Sequence, residues 1–397
     1  MNKKLAIIGL GYVGLPLAIS AVHAGYETVG IDLDLEKIKL INQGISPIED
    51  LSHEQISQLI ESELFSLTSD FKEIELVNII LICVPTPLGF DRMPDLSLLK
   101  SALTSIATYL NEGSLLILES TVAPGTTRKT VSSIIMQNSK LGINDFEVAF
   151  SPERIDPLNK SWNVENTPKL VAGLTREALE NAVQFYSRFV KNIVKCDSLE
   201  IAESAKLLEN SFRLVNISFI NEFSILCTKL GIDVNKVINA AASKPYGFMP
   251  FYPSIGVGGH CIPVDPLYLA NKAREMGAPT RFIDLADQIN QEMPGYFVGR
   301  AEEKMGGLKA KKVLVVGIAY KPNVADVRES PVEALVADLK QKGAEVFWHD
   351  DLVKEWNGEK SVALSSNFDL AIIATPHDYL DLLKLGNVPI FNTRGSI

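Results

Sequence analysis

Apolar and polar positions along the first third of the chain predict strands and helices in turn. The pattern predicts a strand at 5–8, a helix at 15–24 and a second strand at 28–31. Two later apolar runs, 77–85 and 113–121, end in Pro, Ser or Thr and are typical of buried parallel strands. Thr86 and Thr121 then lie at strand ends, where parallel sheets bind ligands, unless they serve only the turns there. The pattern predicts a doubly wound α/β domain.

A similar pattern returns near the C-terminus. It predicts a strand ending at Gly317, a helix at 331–342, a strand that ends in acidic residues by 351, and further strands within 368–378 and 388–395. These elements predict a second doubly wound domain. Gly317, Ala319 and Lys321 replace a clean G-x-G, so this domain is expected to bind a ligand other than a dinucleotide.

The middle of the chain has a helical pattern. Residues 174–192 predict one helix, and residues 198–230, without Gly or Pro, predict a helix of roughly 50 Å. Such a helix suits a spine between two domains or a dimer surface. It carries Lys206, Asn210 and Arg213 on one face. On periodicity alone, a solvent-exposed polar stripe is the simpler interpretation of these three residues.

Composition narrows the classes of function. A chain of 397 residues, 46% hydrophobic and 22% charged, is globular and long enough for two or three domains. Its net charge of −10 argues against nucleic-acid binding. No run approaches the ~18 apolar residues of a membrane span, and glycines interrupt an N-terminal stretch that otherwise resembles a signal peptide. We expect a cytoplasmic protein with no membrane or nucleic-acid partner.

The first turn has the spacing G-x-G-x-x-G, at Gly9, Gly11 and Gly14. The first glycine permits a tight turn, the second lets the backbone approach a pyrophosphate, and the third lets the helix pack on the strand. An acid about 20 residues further on recognises ribose hydroxyls, and Asp32 has that place. Because nearby Asp34 disfavours a 2′-phosphate, the motif predicts NAD rather than NADP.

The stretch GVGGHCIPVD, residues 256–265, raises the question of what Cys261 does. The four cysteines are scattered without a C-x-x-C pair, which fits a reducing compartment and gives no zinc-site spacing. Glycines around a cysteine indicate that something approaches the backbone closely, and they leave the thiol poorly covered. A nucleophilic thiol needs a nearby cation or base, for which Lys206 is a candidate. The residues alone leave a quiet core thiol and a nucleophile both open.

Seven motifs extend the picture to almost the whole chain. In order they are GLGYVGLPLA, CVPTP, ESTVAPGTT, SPER, ESAKLLENSFR, GVGGHCIPVDP and YKPNVADVRESP. Together they resemble the nucleotide-sugar 6-dehydrogenases, the family of UDP-glucose, GDP-mannose and UDP-N-acetylhexosamine dehydrogenases. The resemblance implies a four-electron oxidation of a sugar C6 alcohol to a carboxylate, with two NAD in turn. It implies that Cys261 forms a thiohemiacetal with the aldehyde and then a thioester that water hydrolyses.

The resemblance also implies roles for individual residues and a homodimer or higher homo-oligomer. The implied catalytic residues are Cys261, Lys206, Asn210, Asp265, Thr121 and Glu153. The implied NAD contacts are Gly9, Gly11, Tyr12, Val13, Gly14, Asp32, Lys37, Thr86, Thr121 and Arg328. The implied UDP-sugar contacts are Arg154, Lys206, Asn210, Arg213, Tyr252, Gly258 and Lys321. No metal is expected.

Two departures from the UDP-glucose enzymes bear on the sugar. Val264 stands where those enzymes usually have Lys, and a second acid that many of them have near Pro157 is absent. The resemblance therefore favours an N-acetylhexosamine, with UDP-N-acetylglucosamine first and UDP-N-acetylmannosamine second. UDP-N-acetylgalactosamine and UDP-glucose are further alternatives.

The expected architecture is α/β, with two Rossmann-like doubly wound domains joined by a central helical segment. The expected bounds are 1–196 for the NAD-binding domain, 197–300 for the helical domain and 301–397 for the UDP-sugar-binding domain. Two rival classes remain: a dehydrogenase that stops after one oxidation, and a non-catalytic nucleotide-binding protein. Neither rival needs Cys261, Lys206 and Asp265 together.

Overall fold

The computed structural model describes residues 4–155, 159 and 161–394. The chain divides into two compact units, Met1–Leu208 and Glu209–Ile397. The strands of the first unit are β1 (Lys4–Ile8), β2 (Glu27–Ile31), β3 (Phe65–Thr68), β4 (Ile79–Ile82), β5 (Leu115–Leu118), β6 (Glu147–Phe150), β7 (Lys169–Gly173) and β8 (Ile193–Lys195). Its helices are α1 (Gly14–His23), α2 (Leu35–Asn42), α3 (His53–Glu61), α4 (Ser97–Tyr109), α5 (Ser132–Asn138) and α6 (Arg176–Tyr186), with a 3₁₀ turn at Phe71–Leu76 and a π turn at Thr127–Val131.

The strands of the first unit form one sheet in the order β3-β2-β1-β4-β5-β6-β7-β8. Neighbouring strands are parallel except β6 and β7. The chain order reverses between β1 and β4, the switch point at which open α/β sheets bind ligands. The topology confirms the doubly wound fold that the alternating pattern predicts.

Helices cover both faces of this sheet, because successive strand residues point to opposite faces. Ile8 of β1 lies in one apolar cluster with Leu103 of α4. Its neighbour Ile7 lies in a second cluster with Leu17 of α1. All residues of β4 and β5 are buried, as expected of strands covered on both sides.

One long helix, α7 (Leu199–Leu230), contains the boundary between the two units. Its 32 residues agree with the prediction for 198–230. Exposed apolar side chains recur on it at intervals of four and seven residues, which places them on one line along the helix: Ile201, Leu208, Phe212, Phe219, Leu226 and Leu230. In the part of the chain that the structure describes, no helix is long and apolar enough to cross a membrane.

The second unit has a smaller parallel sheet of the order β10-β9-β13-β14. Its strands are β9 (Lys312–Val316), β10 (Glu345–His349), β13 (Leu370–Ile373) and β14 (Ile390–Asn392), with a hairpin of β11 (Glu355–Trp356) and β12 (Glu359–Lys360). Its further helices are α8 (Val234–Ala242), α9 (Asp265–Glu275), α10 (Arg281–Met305) and α11 (Val332–Gln341), with a 3₁₀ turn at Leu382–Leu385.

The two faces of this smaller sheet are covered differently. On one face, Val313 packs in a cluster with Phe297 of α10 and Leu335 of α11. On the other, Leu314 clusters with Leu385 of the 3₁₀ turn and with residues of the adjoining loops. The connections after β10 and β13 hold only the hairpin and the 3₁₀ turn. The α/β class is confirmed, but loops replace helices on this second face.

Candidate active site

The turn after β1 explains the first and third glycines of the motif. Gly9 has a φ of +92°, and a Cβ there would lie 2.8 Å from the carbonyl oxygen of Cys83. A Cβ at Gly14, the first residue of α1, would lie 1.9 Å from the carbonyl oxygen of Gly9. A side chain at either position would clash with the backbone of the protein itself, which explains why both residues are glycines.

The second glycine differs, because a Cβ at Gly11 would meet no atom within 4 Å. This open space lies beside the N-terminus of α1, where Val13 supplies no side-chain cap. Such a helix end offers N–H groups and a partial positive charge to an anion. The neighbouring Tyr12 hydroxyl donates to Glu49 Oε2 at 3.1 Å. The turn fits the pyrophosphate of a dinucleotide.

Asp32, directly after β2, is 9% exposed. Its carboxylate accepts hydrogen bonds from the N–H groups of Leu10 (2.8 Å) and Asp34 (2.9 Å), and Lys37 Nζ donates to it at 2.7 Å. Burial by itself raises the pKa of Asp32, but these bonds outweigh it and hold the pKa below its ordinary value. Asp32 is therefore an anionic acceptor, as recognition of ribose hydroxyls requires.

The ends of β4 and β5 are tied together by their side chains. The Thr86 hydroxyl donates to the carbonyl oxygen of Thr121 at 2.8 Å, and the Ser120 hydroxyl donates to that of Val84 at 2.6 Å. The structure therefore brings the two predicted threonines into contact at the carboxyl edge of the sheet. Their roles toward NAD and water stay predictions.

Lys206 on α7 is buried, with 5% exposed. Its Nζ lies 3.4 Å from Glu153 Oε2, so that two predicted catalytic residues form an ion pair. Asn210 is also buried, whereas Arg213 is exposed. The interpretation of these residues as a solvent-exposed polar stripe is therefore wrong for Lys206 and Asn210. Periodicity identifies a shared helix face, but it does not identify what covers that face. Arg154, next to Glu153, donates to the carbonyl oxygen of Pro168 at 2.7 Å.

Sequence reasoning missed Glu203, which is fully buried on α7 one turn before Lys206. Its carboxylate accepts hydrogen bonds from the N–H groups of Gly125 (2.6 Å) and Thr127 (2.8 Å). Burial raises the pKa of Glu203 although these bonds oppose the rise. Glu203 thus ties the segment that follows Thr121 to α7. The available signal in the sequence was an acid on an apolar helix face. Its partner Thr127, however, lies 76 residues earlier in the chain, so no local pattern identifies the pair.

A second buried group was also missed, at the end of β5. Glu119 accepts hydrogen bonds from Lys169 Nζ at 2.8 Å and from the Tyr186 hydroxyl. Burial raises the pKa of Glu119, and Lys169 opposes the rise. Glu119 and Lys169 line a pocket with Glu153 and Arg154, beside Leu17 of α1. The position near Pro157, where many UDP-glucose enzymes have a second acid, lies outside the described residues.

Cys261 lies between α8 and α9 in a segment without helix or strand. It is exposed, whereas Cys83, Cys196 and Cys227 are buried, and burial raises the pKa of each of these three thiols. The quiet core thiol is therefore wrong for Cys261. Among the described residues, no group of three or more His, Cys, Asp or Glu side chains is placed to hold a metal ion.

The glycines before Cys261 meet the protein itself. A Cβ at Gly258 would lie 2.6 Å from the carbonyl oxygen of Glu329 and 2.7 Å from Tyr320 Cβ, and one at Gly259 would lie 2.8 Å from the Tyr320 ring. The Gly259 N–H donates to the carbonyl oxygen of Arg328 at 3.2 Å. The close approach expected at these glycines is therefore made by residues 320–329, and the implied substrate contact of Gly258 stays a prediction.

Asp265 connects Asn210 to residues 257–261, which end at Cys261 and are called the cysteine segment below. Asn210 Nδ2 donates to Asp265 Oδ2 at 2.6 Å, and the Asp265 N–H donates to the carbonyl oxygen of Cys261 at 2.9 Å. Asp265 is 3% exposed and is the first residue of α9, where the helix dipole favours a negative charge. Three of the predicted catalytic residues are thus connected within the second unit.

The other predicted residues of the second unit are more exposed. Tyr252 is exposed, and its hydroxyl donates to Asn239 at 3.3 Å. Lys321 is half-buried. The exposed Arg328 binds both oxygens of Asp326, at 2.8 and 2.6 Å. Burial raises the pKa of Asp326, but the bonds from Arg328 outweigh it and lower the pKa below its ordinary value.

The doubly wound sheet, the glycine turn after β1 and the anionic Asp32 define a dinucleotide-binding protein. The chain belongs to the UDP-glucose/GDP-mannose dehydrogenase family. The NAD-binding domain of the family matches residues 3–190, the central domain residues 200–292 and the UDP-binding domain residues 314–395. The chain is an NAD-dependent UDP-sugar dehydrogenase.

Individual relatives divide over the sugar. The chain is 33% identical to a UDP-N-acetyl-D-glucosamine 6-dehydrogenase of Salmonella typhi, over 94% of this chain and 90% of the relative. It is 35% identical to one of Pseudomonas aeruginosa, over 89% and 83%. The solved structure of a UDP-D-ManNAc dehydrogenase from Pyrococcus horikoshii matches with a TM-score of 0.91 and 32% identity, over 98% of this chain and 95% of the other.

Proposed function

We propose that the chain oxidises the C6 hydroxyl of a UDP-N-acetylhexosamine to a carboxylate, with Cys261 as the nucleophile. The observation that carries this proposal is the exposed Cys261 thiol, tied through Asp265 to the buried Asn210. The overall reaction consumes the alcohol, two NAD⁺ and one water, and it yields the carboxylate, two NADH and three protons.

NAD, when bound at the Gly11 turn and Asp32, accepts a hydride in each oxidation. The roles proposed for the chain's own residues follow from their chemistry. Thr121 and Glu153 hold water near the reacting carbon, and the Glu153–Lys206 ion pair fixes the Lys206 ammonium (3.4 Å). Lys206 and Asn210 then stabilise the negative charge that develops on the C6 oxygen.

Covalent capture follows the first oxidation. The Cys261 sulfur adds to the aldehyde carbon, and the thiol proton ends on the former carbonyl oxygen. Loss of a hydride and of that hydroxyl proton leaves a thioester. Water assisted by Asp265 then adds to the thioester carbon, the C–S bond breaks, and Cys261 regains its proton. A tethered aldehyde cannot diffuse away between the two oxidations.

The UDP-sugar is proposed to contact Arg154, Arg213, Tyr252, Gly258 and Lys321, with Arg328 near the cofactor. UDP-N-acetylglucosamine is the first choice, supported by the two relatives of that name at 33% and 35% identity. UDP-N-acetylmannosamine is the second candidate, favoured by the similarity to the Pyrococcus horikoshii structure. The two sugars differ only in configuration at C2.

The test is NADH release with a panel of UDP-glucose and the UDP-N-acetylhexosamines, with products quantified. The proposal expects two NADH per uronic acid and the highest kcat/KM for UDP-N-acetylglucosamine. A preference for another sugar contradicts that choice alone. One NADH per sugar instead supports a dehydrogenase that stops at the aldehyde, and no turnover with any sugar supports a nucleotide-binding protein without catalysis.

We also propose a homodimer that buries the apolar line of α7. Exposed residues such as Phe212 and Phe219 repeat along this helix and would be covered by the same line of a second copy. Phe219→Asp is expected to shift the mass in light scattering toward the monomer, whereas Lys229→Asp on the exposed end of α7 is not. The proposed domain bounds remain 1–196, 197–300 and 301–397, and the need for a reduced Cys261 supports a cytoplasmic enzyme.

A further inference from the structure

The smaller sheet has an aspartate at the position that corresponds to Asp32 in the first sheet. Asp350, directly after β10, accepts a hydrogen bond from the N–H of Ile318 at 3.0 Å. In the first unit, Asp32 accepts the equivalent bond from the N–H of Leu10 at 2.8 Å. Each acid follows the second strand of its βαβ unit, so the two carboxylates have the same place in their sheets.

The surroundings of the two carboxylates differ. Lys37 beside Asp32 has 27% of its side chain exposed, whereas Asp350 pairs with His377 and both of these side chains are 0% exposed. The His377 Nε2 lies 3.0 Å from Asp350 Oδ2. The other oxygen accepts from the N–H groups of Leu352 and Val353. Asp350 is thus sealed inside the protein, so it serves the fold rather than a ribose.

The second ring nitrogen of His377 reaches the segment 319–331. Its Nδ1 accepts a hydrogen bond from the Asn323 N–H at 2.9 Å, so Nε2 carries the ring proton and donates it to Asp350. Asn323 has a φ of +65°, which is uncommon for a residue with a side chain. The Asn323 side chain exchanges two further bonds with Asp378, at 2.8 and 3.0 Å. These bonds hold the segment in a conformation that Asn323 alone does not favour.

The segment 319–331 is also the surface on which the cysteine segment rests. Its ends are tied to the sheet: the Thr375 hydroxyl donates to the Ala319 carbonyl at 2.7 Å, and the Ser330 hydroxyl donates to that of Ile318 at 2.8 Å. Gly258 and Gly259 pack against it without space for a Cβ. A shift of the segment is therefore transmitted to the backbone before Cys261.

We propose that His377 is a positioning residue for the dehydrogenase reaction. Together with Asp350 it fixes the segment 319–331, and this segment fixes the backbone that presents the Cys261 thiol. The inference rests on the proposed role of Cys261 as nucleophile.

His377→Gln and His377→Asn separate its two bonds, because Gln can still donate toward Asp350 while Asn can still accept from Asn323. His349→Gln is the matched control: His349 is a buried histidine of the same sheet whose Nδ1 bonds to the Val362 carbonyl instead. We measure kcat, NAD affinity, melting temperature and amide hydrogen exchange of residues 257–261. His377→Gln is expected to lower kcat by about 10- to 100-fold, the scale of an ångström-level misplacement, and to speed exchange of 257–261.

Because Arg328, proposed to lie near the cofactor, belongs to the segment 319–331, the same His377→Gln protein is also expected to bind NAD more weakly. His377→Asn is expected to retain more activity than His377→Gln, and His349→Gln to keep wild-type kcat and exchange. A folded His377→Gln protein with wild-type kcat and wild-type exchange overturns the inference. So does an equal loss of kcat in His349→Gln.

A second variant probes the contact from the other side, should His377→Gln fold poorly. Gly259→Ala places a Cβ against the Tyr320 ring and is expected to lower kcat and to speed amide exchange of 257–261, whereas Gly277→Ala, another glycine of positive φ where a Cβ meets nothing within 4 Å, is the control. Wild-type kcat and exchange in Gly259→Ala contradict the inference. Cys261→Ser is assayed in parallel. If Cys261→Ser still forms the uronic acid, the proposed function is wrong. If Cys261→Ser is inactive but His377→Gln behaves like the wild type, only the inference about His377 is wrong.

Discussion

Replacing Gly14 and Gly11 separately by Ala distinguishes packing from ligand binding in the dinucleotide turn. A Cβ at Gly14 would lie 1.9 Å from the Gly9 carbonyl oxygen, against 3.4 Å or more for an ordinary contact. The start of α1 and the Gly9 turn must therefore separate by roughly 1.5 Å, an overpacking that costs about 1–3 kcal/mol. We expect Gly14→Ala to lower the melting temperature and to raise the Kd for NAD by at least about tenfold, equivalent to about 1.4 kcal/mol.

Gly11→Ala is the matched variant, because its Cβ meets no protein atom within 4 Å. Its stability should stay within about 0.5 kcal/mol of the wild type, while NAD affinity falls because the methyl group occupies the space left for the pyrophosphate. Calorimetric titration with NAD and thermal melts measure both quantities, and affinity for UDP should be unchanged in both variants. Wild-type NAD affinity in Gly11→Ala, or wild-type stability in Gly14→Ala, would refute this account of the turn.

Three further outcomes are expected. Lys206→Met should lower kcat by about 10²–10³-fold, the usual effect of removing one stabiliser of a developing oxyanion, with NAD affinity unchanged; equal activity to the control Lys229→Met would contradict this. Glu203→Gln should reduce stability by about 1–3 kcal/mol, because an amide cannot accept from both the Gly125 and Thr127 N–H groups as the carboxylate does; denaturant titration measures the change. Burial by itself raises the pKa of Asp350, but bonds from His377 and the backbone outweigh it and lower the pKa below its ordinary value. The native state then binds fewer protons there than the unfolded state, so this stabilisation is complete above the unfolded pKa and is lost as the pH falls through the folded pKa. Asp350→Asn should therefore make the free energy of unfolding depend less on pH on the acid side. The same pH dependence as in the wild type would contradict this role of Asp350.

The elements that local pattern determines were predictable from sequence. The glycine spacing and the acid at Asp32 specify a strand, a turn and a helix within one stretch of chain, and the structure has them there. The uninterrupted pattern of α7 likewise placed its ends to within one residue. Such features depend on neighbours in sequence, which is why the pattern contains them.

Features that depend on distant partners were not predictable. Helical spacing placed Lys206 and Asn210 on one face, but the burial of that face depends on segments from elsewhere in the chain. The glycines near Cys261 correctly indicated a close approach, yet only the fold identifies Tyr320 and Glu329 as the approaching groups. His377 and Asp350 are separated by 27 residues, so no local spacing marks them as a pair.

The most direct test of the central claim is mass spectrometry of the Cys261 peptide after rapid quenching of the enzyme with UDP-N-acetylglucosamine and NAD. The account predicts a sugar-derived mass on Cys261 and on none of the buried cysteines Cys83, Cys196 and Cys227, with no adduct and no uronic acid from Cys261→Ser. Uronic acid formation by Cys261→Ser, together with an unmodified Cys261 in the wild type, would contradict it.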